Sequence, residues 1–141
     1  MVDIANLDID IQIPERKKKL FDNGHWHFDK QMGTGKHSGF IYVIRDNYLK
    51  RFYLGKKFYK INNKRSAAFK SDSNWRTYIS SSSTVKILLD NRPLDEFDFI
   101  VVEEYEKRGA VSYAETWTLC NVEAPTSVTW YNKRIEEVAW N

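Results

Sequence analysis

The 141-residue sequence is 42% hydrophobic and 29% charged, which favours one globular domain and excludes a disordered chain. Its single cysteine, Cys120, excludes an internal disulfide and favours a reducing compartment. No apolar run reaches membrane-spanning length and the first ten residues are acidic rather than signal-like, so we expect a cytoplasmic protein with no membrane partner.

The net charge of +3 conceals two segments of opposite charge. Residues 45–76 contain ten lysines and arginines against two acids, whereas residues 87–123 contain nine acids against three bases. The basic segment would attract phosphate groups by releasing their counterions. Lysines that protect an exposed strand edge would give the same pattern, and charge alone does not decide between these interpretations.

Residues 1–37 are interpreted as an N-terminal extension, and residues 38–141 as the main domain. Within the extension, "DIDIQI" at 8–13 alternates polar and apolar residues and predicts a short strand. "MGTGKHSG" at 32–39 has the composition of a loop, and its glycine spacing excludes a phosphate-binding P-loop.

The main domain predicts the element order strand, strand, helix, strand, helix. The predicted strands cover 39–45, 48–54 and 97–105, and the predicted helices cover about 83–90 and 112–123. This order predicts an α/β protein, an α+β sandwich with a small, mostly antiparallel three-stranded central sheet flanked by helices.

The helix ends and the remaining segments carry weaker signals. The serines at 80–83 are expected to cap the first helix. Ser112 and Glu115 have the spacing of a capping box, which would start the second helix at Ser112. Residues 56–74 extend the hairpin or form a loop, and residues 128–135 form a short strand or an irregular segment.

The turn between the first two strands decides where two tyrosines point. A two-residue turn at Asp46 and Asn47 would place Tyr42 opposite Arg51, with Tyr53 diagonal to Tyr42 on the same face. A three-residue turn would send the two tyrosines to opposite faces, because side chains alternate along a strand. The hairpin therefore permits a site but does not require one.

Two short motifs in this hairpin resemble the signature of the GIY-YIG nuclease family. They are "GFIY" at 39–42 and "YLG" at 53–55, with tyrosines eleven positions apart. "YLGKK" resembles the variant of phage-encoded members, and "SNWRTYISSS" at 74–83 resembles their downstream segment, with Ser80 in place of a glycine. The glutamate of "YAETWTL" at 113–119 and the later Asn132 follow in the family's order.

The resemblance implies a role for each matched residue. Tyr42 matches the general base or water-orienting tyrosine, and Tyr53 would position the water or the phosphate. Glu115 matches the carboxylate that binds Mg²⁺ or Mn²⁺, a role that can coexist with helix capping. Asn132 would support the site by hydrogen bonds, or it is simply a turn residue.

Two arginines compete for the role of stabilising charge on the phosphate. Arg65 has the simple family spacing after Tyr53, whereas Arg76 lies in the segment that precedes a predicted helix, and we favour Arg76 slightly. Further basic residues are expected to bind nucleic acid, namely Arg51, Lys56, Lys57, Lys60, Lys64 and Lys70.

The resemblance implies a metal-dependent endonuclease that hydrolyses phosphodiester bonds in double-stranded DNA and is encoded by a phage or mobile element. The basic segment at 56–76 and the N-terminal extension would bind the target, which predicts a loosely specified site or cutting by a homodimer. The alternative is a catalytically silent nucleic-acid-binding or inhibitory module on the same scaffold.

Overall fold

The computed structural model describes residues 21–133 and 135, and its centre is a three-stranded antiparallel sheet. The strands lie in the order β2–β1–β3, so β1 is flanked on both sides. The strands are β1 (Gly39–Asp46), β2 (Arg51–Phe58) and β3 (Phe97–Tyr105), and the helices are α1 (Ser83–Asn91) and α2 (Arg108–Asn121). This architecture confirms the predicted fold class. The "DIDIQI" strand prediction lies outside the described residues.

The register of the hairpin differs from the predicted one. Asp46 pairs with Arg51, so residues 47–50 form a four-residue loop, and Tyr42 faces Gly55 rather than Arg51. The predicted pairing is wrong by four positions. Because four is an even number, the shift leaves the face of every side chain unchanged, and Tyr42 and Tyr53 still share one face.

The carboxylate of Asp46 holds this longer loop in place. Its Oδ1 atom accepts hydrogen bonds from the backbone N–H groups of Tyr48 and Leu49, both at 3.0 Å. The guanidinium of Arg92 donates two more, at 2.5 and 2.8 Å, and the Tyr131 hydroxyl donates another at 2.6 Å. Burial acts to raise the pKa of Asp46, but these donors outweigh burial and hold that pKa well below its usual range.

Single bridges extend the sheet at both edges. His27 pairs with Ile100 of β3, and Trp130 pairs with Phe52 of β2. The segment around Trp130 is otherwise irregular, as one of the two alternatives for residues 128–135 predicted. Residues 59–74 form a loop after β2, which itself runs to Phe58. Both sheet edges are therefore partly covered by chain from outside the strands.

The first helix is confirmed, and the second begins four residues earlier than predicted. Helix α1 is capped by Ser82, whose hydroxyl accepts from the backbone N–H of Val85 at 3.4 Å. Helix α2 has Lys107 at its N-cap, so the capping box at Ser112 and Glu115 is wrong, since both residues lie inside the helix. The helix begins earlier because its buried apolar face already includes Val111, which precedes Ser112.

The sheet separates two apolar clusters. One face carries the larger cluster, which contains Tyr42, Trp75 and residues of α1, and the other face packs against α2. Trp26 and Met32, from the segment interpreted as an extension, belong to the larger cluster and are each 1% exposed. The boundary placed at residue 37 stays a prediction. Among the described residues, no helix is long and apolar enough to cross a membrane.

The close approach of Tyr42 to Gly55 fixes where the phenol lies. A Cβ atom at position 55 would be 2.3 Å from the Tyr42 hydroxyl and 2.4 Å from its Cζ atom. Real Cβ atoms do not come so close to other heavy atoms, so the ring crosses β2 only because residue 55 has no side chain.

Gly55→Ala is expected to lower the free energy of unfolding by about 1–3 kcal/mol, because the added methyl overpacks the Tyr42 ring. The matched control is Gly109→Ala in α2, where a Cβ would meet no atom within 4 Å. That control should leave stability unchanged or raise it by up to about 1 kcal/mol. Urea denaturation of both variants checks the prediction, and equal stabilities would contradict it.

Asp46→Asn is expected to lower the free energy of unfolding by about 2–4 kcal/mol at pH 7, since Arg92 then lacks its buried counter-charge. The depressed pKa of Asp46 contributes stability that is fully present above its unfolded value of about 4 and is lost as pH falls toward the folded value. The difference in the free energy of unfolding between wild type and Asp46→Asn should therefore become smaller as the pH falls from 5 to 3. Denaturation at several pH values tests this, with the exposed Asp90→Asn as control; a gap independent of pH would contradict it.

Candidate active site

Side chains from β1, β2 and α2 meet in one pocket of about 290 Å³. Tyr42, Tyr53 and Glu115 all line this pocket, as the motif resemblance requires. The ring centroids of the two tyrosines are 6.4 Å apart, and Tyr78 approaches Tyr42 at 6.2 Å. The structure therefore brings the two signature tyrosines and the helical glutamate together.

The pocket lies at the edge of the sheet that β2 forms, and side chains from both faces of the sheet line it. Tyr53 and Lys57 project to the face of the larger cluster, whereas Lys56 and Phe58 project to the face that packs on α2, and all four line the pocket. Because β2 is an edge strand, a side chain of α2 can reach around it toward the tyrosines. Glu115 does so, although α2 packs on the opposite face.

Both phenols are less acidic than tyrosine in water. Burial raises the pKa of Tyr42 well above its ordinary value, and the neighbouring Tyr53, Tyr78 and Glu115 raise it further, while a hydrogen bond with Ser80 acts against them. Burial also raises the pKa of Tyr53. Each phenol is therefore protonated at neutral pH.

Glu115 is the carboxylate that lines the pocket, and a positively charged side chain lies close to it. Its Oε1 atom lies 3.7 Å from the Lys56 ammonium, which also donates a hydrogen bond to the Ser112 hydroxyl at 3.2 Å. No cluster of three or more histidine, cysteine, aspartate or glutamate residues that could hold a metal occurs among the described residues. One carboxylate, completed by water and substrate phosphate, is a donor set that Mg²⁺ accepts, so the residues fit such an ion.

Four cations line the same pocket: Lys56, Lys57, Lys60 and Arg108. The Lys57 ammonium lies 3.9 Å from the ring centroid of Tyr78, and burial lowers the pKa of Lys57. The Arg108 guanidinium lies over the ring of Phe58, 3.7 Å from its centroid. The pocket can therefore offset the charge of a bound anion.

Arg108 is the one of these four cations that the sequence prediction missed. It precedes Glu115 by seven positions, so two helical turns bring both onto one face of α2. The seven-residue spacing could have indicated that Arg108 and Glu115 share a helix face. It was not used because the predicted helix began at Ser112 and so did not include Arg108.

Neither predicted arginine lines the pocket. Arg76 stacks over the ring of Trp75, with 4.2 Å between the guanidinium carbon and the centroid, and its Nε atom lies 3.6 Å from a carboxylate oxygen of Asp22. Arg65 is exposed in the loop after β2, where its backbone N–H donates to the Asn63 side chain at 3.0 Å. The structure does not bring Arg65 or Arg76 to the tyrosines.

Asn132 binds the backbone of β2 instead of lining the pocket. Its amide accepts from the Leu54 N–H at 2.9 Å and donates to the Leu54 carbonyl at 2.8 Å. Leu54 lies between Tyr53 and Gly55, so this pair of hydrogen bonds fixes the strand that carries both. The sequence predicted that Asn132 supports the site through hydrogen bonds, and these two bonds to Leu54 are contacts of that kind.

The remaining basic residues are distributed over a wider surface. Arg51 stacks on Tyr131 at 4.1 Å and donates to the carbonyl of Val128 at 2.9 Å, which keeps it outside the pocket. Lys60 pairs with Asp72 at the pocket rim. Lys64 and Lys70 are exposed on the loop that follows.

A comparison with protein-family models adds evidence independent of this geometry. Residues 16–135 match the model described as "Putative endonuclease segE, GIY-YIG domain", which covers most of the chain. No curated protein and no solved structure matched in the other two comparisons. The matched range contains every residue placed in the pocket, and the chain therefore belongs to the GIY-YIG nuclease family, in its segE-type branch.

Proposed function

We propose that this protein is a metal-dependent endonuclease that hydrolyses phosphodiester bonds in double-stranded DNA. The observation that carries the proposal is the convergence of Tyr42, Tyr53 and Glu115 in a pocket that also contains four cations. Hydrolysis at phosphorus needs an oriented water, compensation of the phosphate charge and a stabilised leaving oxygen. Each requirement has a candidate residue in the pocket.

Tyr42 orients the attacking water. Since its raised pKa keeps the phenol protonated at neutral pH, the hydroxyl acts through hydrogen bonds and is a weak base. Tyr53 lies on the same face and holds the water or a phosphate oxygen from the other side. The two hydroxyls thereby define the direction of attack.

Glu115 is the residue that would hold Mg²⁺ or Mn²⁺. A bound ion supplies Lewis-acid stabilisation of the leaving oxygen. Glu115 is largely buried, with 9% of the residue exposed, and it lines the pocket. Lys56 pairs with this carboxylate and offsets its negative charge.

Arg108 takes the role that the sequence gave to Arg65 or Arg76. Its guanidinium lies in the pocket on the same helix face as Glu115, and a guanidinium binds two phosphate oxygens at once. Lys57 adds a second positive charge beside the tyrosines. Arg65 and Arg76 are better placed to contact DNA phosphates outside the pocket.

The loop after β2 is proposed to bind the DNA backbone on either side of the scissile phosphate. Lys64, Arg65 and Lys70 are exposed on it, and such contacts give affinity without base recognition. This arrangement favours a loosely specified target. Cutting by a homodimer stays a prediction.

A catalytically silent nucleic-acid-binding module is the second candidate. The pairing of Lys56 with Glu115 favours it, because an ammonium beside the carboxylate competes with a divalent ion. Such a module would bind DNA in a salt-dependent way that chelators do not affect.

Glu115→Gln is expected to reduce plasmid cleavage in Mg²⁺ by at least about 100-fold, since the amide does not hold the ion that stabilises the leaving oxygen. EDTA should abolish cleavage by the wild type, while DNA binding persists in both. Glu106→Gln, at an exposed position outside the pocket, is the matched control and should cleave normally. DNA binding without cleavage in any lane would instead establish the silent module.

Arg108→Ala is expected to lower the single-turnover cleavage rate by about 10–100-fold, because the pocket loses a charge-assisted contact to the phosphate. Arg65→Ala and Arg76→Ala are the matched comparisons and should weaken DNA binding at moderate salt with less effect on the rate at saturation. A larger rate loss in Arg76→Ala than in Arg108→Ala would contradict this assignment. Quench-flow cleavage of a labelled duplex measures all three.

A further inference from the structure

Lys56 is the pocket cation that forms an ion pair with Glu115, at 3.7 Å between the ammonium and the Oε1 atom. The other three cations of the pocket contact different groups. Lys57 lies over the ring of Tyr78, Lys60 pairs with Asp72, and Arg108 lies over the ring of Phe58. A role tied to the carboxylate is therefore assigned to Lys56.

The ammonium of Lys56 is held from two sides. It donates a hydrogen bond to the Ser112 hydroxyl at 3.2 Å, and Ser112 precedes Glu115 by three positions, so the two side chains are neighbours on α2. The lysine itself belongs to β2, two residues after Leu54, whose backbone is bound by the Asn132 amide. The position of the ammonium beside the carboxylate is thus built into the strand and the helix.

Solvent screens this ion pair less than the other one in the pocket. The side chains of Lys56 and Glu115 are 22% and 11% exposed, whereas those of Lys60 and Asp72 are 55% and 60% exposed. Water and salt weaken the interaction of exposed charges far more than that of partly buried ones. A divalent ion at Glu115 therefore competes with an ammonium whose attraction to the carboxylate is only partly screened.

The charge balance of the pocket adds to this competition. Among the pocket-lining residues in the described part of the chain, four carry a positive charge and Glu115 carries a negative one. Because like charges repel, a divalent cation enters the pocket against this excess of positive charge. The ammonium of Lys56, next to the carboxylate, has the largest effect of those that an ion at Glu115 meets.

We propose that Lys56 is an internal competitor for the Glu115 carboxylate, which weakens the binding of Mg²⁺ or Mn²⁺ in the DNA-free protein. The inference rests on the proposed function, because it takes Glu115 as the ligand of the ion. Ser112 keeps the ammonium within reach of the carboxylate. When an ion binds Glu115, the ammonium loses this partner.

The first test measures Mn²⁺ binding to the DNA-free protein by the EPR signal of the free ion. Lys56→Met should raise the Mn²⁺ affinity by about tenfold or more, because it removes a unit charge close to the ligand. Lys56→Arg keeps the charge and should stay within about threefold of wild type. The matched control Lys60→Met removes the same charge from the same pocket and should gain less than about threefold, since its pair is exposed.

Glu115→Gln locates the ion that the EPR experiment detects. It should abolish the gain in affinity when it is combined with Lys56→Met. Equal gains in Lys56→Met and Lys60→Met would overturn the proposal, and so would a gain in Lys56→Met that persists without the carboxylate.

The second test uses wild-type protein with ¹⁵N-labelled lysine side chains, so it does not require Lys56→Met to fold. Saturating Mg²⁺ should shift the Nζ resonance of Lys56, assigned with Lys56→Arg, and leave that of Lys60 in place. Glu115→Gln should shift the Lys56 resonance without Mg²⁺ and remove the response to the ion. A Lys56 resonance that Mg²⁺ does not move would overturn the proposal.

Failure of this inference and failure of the proposed function give different results. If wild type does not cleave DNA while Lys56→Met gains Mn²⁺ affinity through Glu115, the endonuclease proposal fails and the competitor proposal stands. If wild type cleaves DNA with metal while Lys56→Met and Lys60→Met bind Mn²⁺ alike, the proposed function stands and the competitor proposal fails.

Discussion

The structure of the pocket depends on one close approach, that of the Tyr42 ring to the backbone of Gly55. A side chain on residue 55 would occupy the space of the phenol. Gly55 of the second motif is therefore what allows Tyr42 of the first motif to lie there. The antiparallel register places these residues opposite each other, and Asp46 sets that register by holding a four-residue loop. Asp46, at the end of the hairpin, thus helps to determine the position of the Tyr42 hydroxyl, which lies four residues earlier in β1.

The edge position of β2 explains how groups from both faces of the sheet share one pocket. Tyr42 and Tyr53 belong to the face of the larger apolar cluster, whereas Glu115 and Arg108 come from the helix on the other face. An edge strand exposes its backbone, and Asn132 occupies part of that edge by bonding to Leu54.

Strand patterns are local signals and allowed the sheet to be predicted, whereas the central residues of the site were assigned through the resemblance of their motifs to the GIY-YIG family. Tyr42, Tyr53 and Glu115 were assigned in this way, and all three line the pocket. The register was not predictable, since it depends on Arg92 binding Asp46 from 46 positions away. Arg108 was missed because Lys107 carries no capping side chain that would mark the true start of α2.

The ammonium of Lys56 beside Glu115 gives this pocket a built-in counter-ion. Its presence means that the chain itself compensates the charge of the carboxylate, so the fold does not depend on a metal ion to tolerate that charge. Because Lys56 belongs to β2 and Glu115 to α2, the same ion pair also joins the edge strand to the helix.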